Sequence, residues 1–117
     1  MGNIDVKPLI FLGGSLKDLR RFPKSAREKM GHELHLVQTG ETPTTAKPLK
    51  GLPGVMELAK KHDTDTFRAV YTANLGDAIF VLHCFKKKAK KRIKTPKTEM
   101  DVIRQRLKEA KKISKGE

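Results

Sequence analysis

The residues of this chain that could do chemistry are mostly cationic, and many lie in one short segment. From Lys86 to Lys94, seven of nine residues are Lys or Arg. Such a run is usually a solvated, disordered stretch. Here, however, an apolar strand ends at Phe85 and a capped helix begins at Thr95, so the run is held at both ends. It therefore predicts a phosphate-binding edge, with a solubilising loop as the alternative.

Arg68 is a second candidate, in the middle of a predicted strand. It alternates with Phe67 and Tyr71, so its side chain lies on the opposite face of the sheet. One interpretation is a cross-strand pair with a carboxylate such as Glu57. The other is a guanidinium fork for a phosphate. Tyr71 shares the face of Phe67, which favours core packing, although stacking on a nucleobase is the alternative.

His83 lies two residues before Phe85 on the most apolar strand. A lone histidine there is usually structural, but it is also the titratable base within reach of the basic segment. Phe85 precedes the lysines directly and is the better candidate for stacking on a base. The remaining histidines, at positions 32, 35 and 62, provide no third metal ligand, so neither a metal site nor a cofactor is expected.

Size and charge set the class of protein. With 117 residues the chain predicts a single domain over 1–117. A net charge of +13 indicates a polyanionic or acidic partner. Cys84 is the only cysteine, which fits a reducing cytoplasm. We expect neither a signal peptide nor a transmembrane helix, because no apolar run approaches the roughly 20 residues that a bilayer requires.

Hydrophobic periodicity and turn residues predict an α+β fold. A short first strand is followed by two helices, a loop, three strands and a last helix, at 7–12, 15–21, 23–40, 42–54, 55–60, 66–73, 78–85 and 95–113. The three strands form an antiparallel meander, and the helices cover one face of the sheet. Ser15 is the expected N-cap of the first helix, with Asp18 completing a capping box. Residues 86–95 form a basic connector, and 114–117 fray.

One reaction class fits these residues. There is no phosphate-binding glycine loop, no nucleophile elbow and no pair of metal-ligand clusters. In ribonucleolytic transphosphorylation the 2′-hydroxyl of the RNA attacks its own neighbouring phosphate, so the substrate supplies the nucleophile. The protein has to orient the RNA, stabilise charge with Arg and Lys, and move protons. Clustered lysines lower one another's pKa, which would allow one of them to act near neutrality.

Three ordered stretches resemble a known family. They are the glycine-rich approach to the sheet at 47–58, the strand 67–71, and the apolar strand with its basic end and following helix start at 79–88 and 95–100. Together they resemble the RelE/ParE superfamily of toxins, in the phage-derived HigB-like branch of type II toxin–antitoxin systems. Two departures are Ala59, where the family usually has arginine, and a longer, more basic segment after Phe85.

The resemblance implies a RelE-like fold and metal-independent cleavage of messenger RNA, commonly in the ribosomal A site. It implies a helix-turn-helix antitoxin as partner, and it places Arg68 at the scissile phosphate. The predicted catalytic residues are Arg68, Lys87, Lys88 and His83. The predicted RNA contacts are Lys60, Tyr71, Phe85, Lys86, Lys90, Lys91 and Arg92. Two alternatives stay open: a gyrase-inhibiting toxin of the ParE type, and a non-catalytic protein that binds RNA or the ribosome.

Overall fold

The computed structural model describes residues 6–88 and 95–116. Their helices and strands, in chain order, are β1 Leu9–Phe11, α1 Ser15–Arg20, α2 Lys24–Gln38, β2 Lys47–Pro48, β3 Val55–His62, β4 Asp65–Leu75, β5 Ala78–Lys88 and α3 Lys97–Ser114. The strands form one sheet in the order β1-β5-β4-β3-β2. β1 runs parallel to β5, and the other neighbours are antiparallel. The predicted α+β class and its meander of three strands are confirmed.

Helices cover both faces of the sheet, so the expectation that they cover a single face is wrong. On one side, which we call the α1–α2 face, Met30 and Leu34 pack in a core with Leu58. On the other, the α3 face, Ile103 packs in a second core with Phe80. The physical reason lies in β4 and β5, whose side chains are buried on both faces, so each face requires an apolar cover.

Contacts with other strands change two of the predicted boundaries. α1 has no side-chain cap, and the expected capping box does not form. Ser15 is instead the first helical residue, and its buried hydroxyl donates to the Val81 carbonyl oxygen at 3.2 Å. The predicted loop 42–54 also contains β2, which pairs Lys47 with Glu57. Pro48 is tolerated there because β2 is the edge strand, where a missing amide proton is not needed by a neighbour.

β5 runs three residues further than predicted, into the basic segment. Lys86, Lys87 and Lys88 pair with β4 residues 67, 66 and 65, so the predicted connector does not begin at 86. Side chains alternate between faces along a strand, so consecutive lysines point to opposite sides of the sheet. The last helix ends at Ser114, and the Lys115 amide still bonds to the Lys111 carbonyl, so helical bonding reaches into the segment expected to fray.

Within 6–88 and 95–116, no helix is both long enough and apolar enough to cross a bilayer.

Candidate functional site

Three strands bring two cations and a carboxylate together on the α3 face. Arg68 of β4 lies directly opposite Phe85 of β5 in the ladder. Two residues in such a pair have their side chains on the same face of the sheet. Lys87 lies two residues beyond Phe85 and therefore on the same side. Glu57 of β3 completes the group, since its carboxylate contacts Arg68. We call Glu57, Arg68 and Lys87 the cation cluster.

Arg68 is held by a buried ion pair. Its Nη1 donates to Oε1 of Glu57 at 2.6 Å, and the two side chains are only 13% and 12% exposed. The cross-strand partner predicted for Arg68 is thereby confirmed. Arg68 Nε and Glu57 Oε2 are buried and have no hydrogen-bond partner among the described residues. The pair thus fixes the guanidinium by a charge-assisted bond while leaving part of its donor capacity unused.

Lys87 is the group whose electrostatics favour chemistry. Its side chain lies among the buried residues, at 7% exposure. Burial lowers the pKa of Lys87, the positive charge of Arg68 lowers it further, and Glu57 acts in the opposite direction. A lysine with a lowered pKa gives up its proton at a lower pH than an ordinary lysine, as a general base or acid requires.

His83 lies on the same face but is fully engaged. Its Nε2 is 2.6 Å from Oε1 of Glu99, and its Nδ1 is 3.4 Å from Nη1 of Arg106. The imidazole also stacks on Phe85, with ring centroids 4.9 Å apart and planes 20° from parallel. Proton transfer to a substrate would require one of these contacts to break. The geometry therefore favours the structural alternative for His83 over a catalytic role.

The other predicted lysines do not join the cation cluster. Alternation places Lys86 and Lys88 towards the α1–α2 face, and both are exposed. Lys86 Nζ lies 3.8 Å from Oδ2 of Asp65. Lys60 belongs to that face as well, opposite Phe67 in the ladder between β3 and β4. The structure therefore separates Lys88 from Lys87, although the two were predicted to act together.

Two aromatic predictions have different outcomes. Tyr71 is 2% exposed in the core of the α1–α2 face, and burial with nearby Glu33 raises its pKa. Its core-packing alternative is confirmed, and stacking on a base does not fit. Phe85 is 7% exposed in the core of the α3 face, and it also lines a groove. The predicted RNA contacts Lys90, Lys91 and Arg92 lie outside the described residues.

The groove has a volume of about 550 Å³ and runs along β5 between the α1–α2 corner and the start of α3. Its lining includes the aromatic residues Phe22, Phe67 and Phe85 and the basic residues Arg21 and Lys86. In the two described ranges, no three His, Cys, Asp or Glu side chains are grouped so that they could hold a metal ion.

Sequence reasoning missed two residues next to the site, Glu99 and Arg106. They are seven positions apart, and Ile103 lies between them on the buried stripe of α3. Residues at such spacing share one helix face. The available signal was two ionisable residues on the apolar face of an otherwise regular amphipathic helix, which indicates that they have polar partners inside the fold.

The fold defines the class of protein. It is similar to the crystal structure of the isolated E. coli RelE toxin in its P21 form, with a TM-score of 0.53 and 20% sequence identity. The likeness covers 85% of this chain and 97% of that chain. At this identity it shows the fold, which is the predicted RelE-like one.

A match to a family model identifies the family within this class. The model described as "Phage derived protein Gp49-like" matches residues 17–108, most of the chain. The chain therefore belongs to the Gp49-like family. The predicted membership of the RelE/ParE superfamily, in a phage-derived branch, is confirmed. Family and fold together indicate a toxin of a toxin–antitoxin system. A search of curated proteins finds no match.

Proposed function

We propose that this chain is the toxin of a type II toxin–antitoxin system and cleaves ribosome-bound messenger RNA without a metal ion. The observation that carries the proposal is the cation cluster. A buried, oriented arginine and a lysine of lowered pKa lie side by side on one face of the sheet. Cleavage by the RNA's own 2′-hydroxyl requires these two functions, charge stabilisation and proton transfer.

Arg68 binds the scissile phosphate. Its guanidinium is oriented before RNA arrives, because the bond to Glu57 fixes one of its nitrogens. The negative charge on the phosphate oxygens grows as the 2′-oxygen attacks phosphorus. A donor already aimed at those oxygens stabilises the transition state without reorganisation. Glu57 partly neutralises the Arg68 guanidinium and so limits its binding to the phosphate before the reaction. The interaction is therefore strongest in the transition state, when the charge on the phosphate oxygens has developed.

Lys87 transfers the proton. In its neutral form its amine accepts the proton of the 2′-hydroxyl as the 2′-oxygen bonds to phosphorus. The bond from phosphorus to the 5′-oxygen then breaks, and the leaving oxygen takes a proton from water. The hydroxide that remains takes the proton from Lys87, which returns to its neutral form. The products are a 2′,3′-cyclic phosphate and a 5′-hydroxyl. Burial and Arg68 make neutral Lys87 accessible at a lower pH than for a lysine in water.

The remaining basic groups serve binding. Lys60, Lys86 and Lys88 lie on the side of the sheet away from the cation cluster and attract the RNA backbone without taking part in the reaction. The net charge of +13 suits the ribosome and its messenger RNA in the cytoplasm. It also suits an acidic surface on a helix-turn-helix antitoxin, which is the partner we propose.

Adjacent lysines provide the test. Lys87→Met and Lys86→Met each remove one positive charge, from neighbouring positions on opposite faces. Purified protein is incubated with ribosomes that carry messenger RNA, in the magnesium buffer that intact ribosomes require, and the cut ends are mapped. We expect Lys87→Met to lower the cleavage rate by about 10²–10⁴-fold, the usual contribution of a general base. Lys86→Met should change the rate only slightly and mainly at high salt.

Equal losses for both variants would refute the assignment of Lys87. An absence of cleavage by the unmodified protein would refute the nuclease itself. In that case a supercoiling assay with purified gyrase separates the ParE-type alternative from a protein that only binds RNA.

A further inference from the structure

β5 contains one residue more than β4 requires, directly before the cation cluster. Val81 lies opposite Tyr71, but the next pair is His83 with Val70, so Leu82 is an extra residue in a β-bulge. Leu82 packs in the core of the α3 face, and His83 contacts Glu99 of α3. Two consecutive side chains therefore point to the same face, and the alternation is offset from this point onwards.

This offset decides which residues reach Arg68. Ile79 and Val81, before the bulge, lie in the core of the α1–α2 face, whereas Phe85 lies in that of the α3 face. Without the bulge, odd-numbered residues would stay on the α1–α2 face. Cys84 would then stand opposite Arg68, and Lys86 would replace Lys87 beside it. A slip of one residue always exchanges the two faces of a strand.

The end of β5 hardly discriminates between these two registers. Residues 86–88 are all lysine, so either register places a lysine next to Arg68. Cys84 and Phe85 are both apolar and are buried on opposite faces, so their exchange keeps an apolar side chain on each side. Register is weakly specified where the side chains on the two faces are alike. A contact from outside the strand therefore has to fix it.

Arg106 of α3 makes that contact. Its Nη1 donates to the carbonyl oxygen of Leu82 at 3.0 Å and lies 3.4 Å from His83 Nδ1. The guanidinium thus binds both residues of the bulge. Space for it comes from Gly13, where a Cβ would lie 2.6 Å from the Arg106 Cζ. Gly13 has φ of +54°, a conformation that also favours glycine.

We propose that Arg106 is a positioning residue that holds the bulge at Leu82 and thereby keeps Phe85 and Lys87 on the face of Arg68. Its consequence for cleavage rests on the proposed function, but the register it fixes does not. Arg106 touches no reacting atom. It acts through β5, by donating a hydrogen bond to the carbonyl oxygen of the extra residue.

The structural test uses Arg106→Met, which keeps the length of the side chain and removes its donors. Arg106→Lys keeps one donor and is the conservative rescue. Arg104→Met is the matched control, since Arg104 is an exposed residue of the same helix. NMR contacts across β4 and β5 report the register. We expect Arg68–Phe85 contacts in the unmodified protein and the control, Arg68–Cys84 contacts in Arg106→Met, and restoration by Arg106→Lys.

The activity test asks which lysine the enzyme depends on. With Arg106→Met, cleavage should fall by about 10²-fold, a loss that a misplacement of about 1 Å can produce. The residual activity should then fall more with Lys86→Met than with Lys87→Met, the reverse of the order in the unmodified protein. If Arg106 had a purely structural role, Arg106→Met would lower the cleavage rate, but Lys87→Met would remain the more damaging of the two lysine substitutions.

A folded Arg106→Met variant that keeps the Arg68–Phe85 contacts would overturn the proposal. If Arg106→Met does not fold, Gly13→Ala crowds the guanidinium out of its position, and the same NMR contacts decide. A protein without nuclease activity would refute the proposed function alone, because the NMR contacts report the register in either case.

Discussion

Replacement of Arg68 should lower the free energy of unfolding of the protein as well as inactivate it. Arg68→Met takes away the partner of a carboxylate that is 12% exposed and leaves Glu57 charged in the sheet. A buried charge without its counter-ion costs far more than the pair itself contributes. Met has a similar length and no charge. The lost free energy of unfolding therefore reports the Glu57 carboxylate without its counter-ion, and not a cavity.

The structure sets the magnitude. Breaking a buried pair costs about 3–5 kcal/mol. Both side chains retain some exposure, and the Lys87 ammonium lies near enough to interact with Glu57, so we expect the low end, about 3 kcal/mol. For a chain of 117 residues, about 1 kcal/mol corresponds to about 4 °C in Tm, so Tm should fall by about 12 °C.

A double-mutant cycle measures this effect. Urea and thermal unfolding, followed by circular dichroism, are compared for Arg68→Met, Glu57→Met and the double variant. The double variant should recover most of the lost free energy, because an apolar pair of similar volume replaces a buried ion pair at little cost. It should be folded and inactive, which separates the catalytic loss from the loss of stability.

Two results would refute the reasoning. One is a loss below about 1 kcal/mol for Arg68→Met, the range of an exposed ion pair. The other is a double variant no more stable than Arg68→Met, which would show that Glu57 is not the source of the penalty.

Three further predictions concern single groups. The rate of cleavage should show an inflection below 10.5, the ordinary pKa of lysine, and Glu57→Gln should shift it to still lower pH, because Glu57 raises the pKa of Lys87. Burial raises the pKa of the Cys84 thiol to about 12, so iodoacetamide should label it at neutral pH only at the rate of unfolding, and rapid labelling of native protein would contradict this. Phe80→Ala should cost about 3–5 kcal/mol in urea unfolding, against less than about 0.5 kcal/mol for Ile113→Ala, because Phe80 is fully buried and Ile113 is 41% exposed.

The elements of the fold were readable because their signals are local. The buried stripe of α3 follows from the spacing of Ile103, Leu107 and Ala110, and turn residues separate the strands of the meander. The pair of Arg68 with Glu57 is one of the two interpretations that the sequence offers, because a charged residue in the middle of a strand often pairs with a residue on the neighbouring strand.

The features that the sequence did not reveal depend on contacts distant in sequence. Ser15 bonds to β5 instead of capping α1, since a strand 66 positions away provides the acceptor. His83 was proposed as a base because its two partners are on α3 and could not be identified from the strand alone. Lys87 and Lys88 were grouped because they are neighbours, whereas the strand separates them.

The sequence by itself determined the order of the elements except β2, the RelE-like class and the strongly basic character of the protein, since composition, periodicity and ordered motifs are properties of the chain. Only the tertiary structure decided which lysine stands beside Arg68. Residues 86–88 are chemically identical, so their order carries no information about the face each one occupies. That choice depends on one extra residue in β5 and on the α3 arginine that binds it, because a shift of one residue exchanges the two faces of a strand.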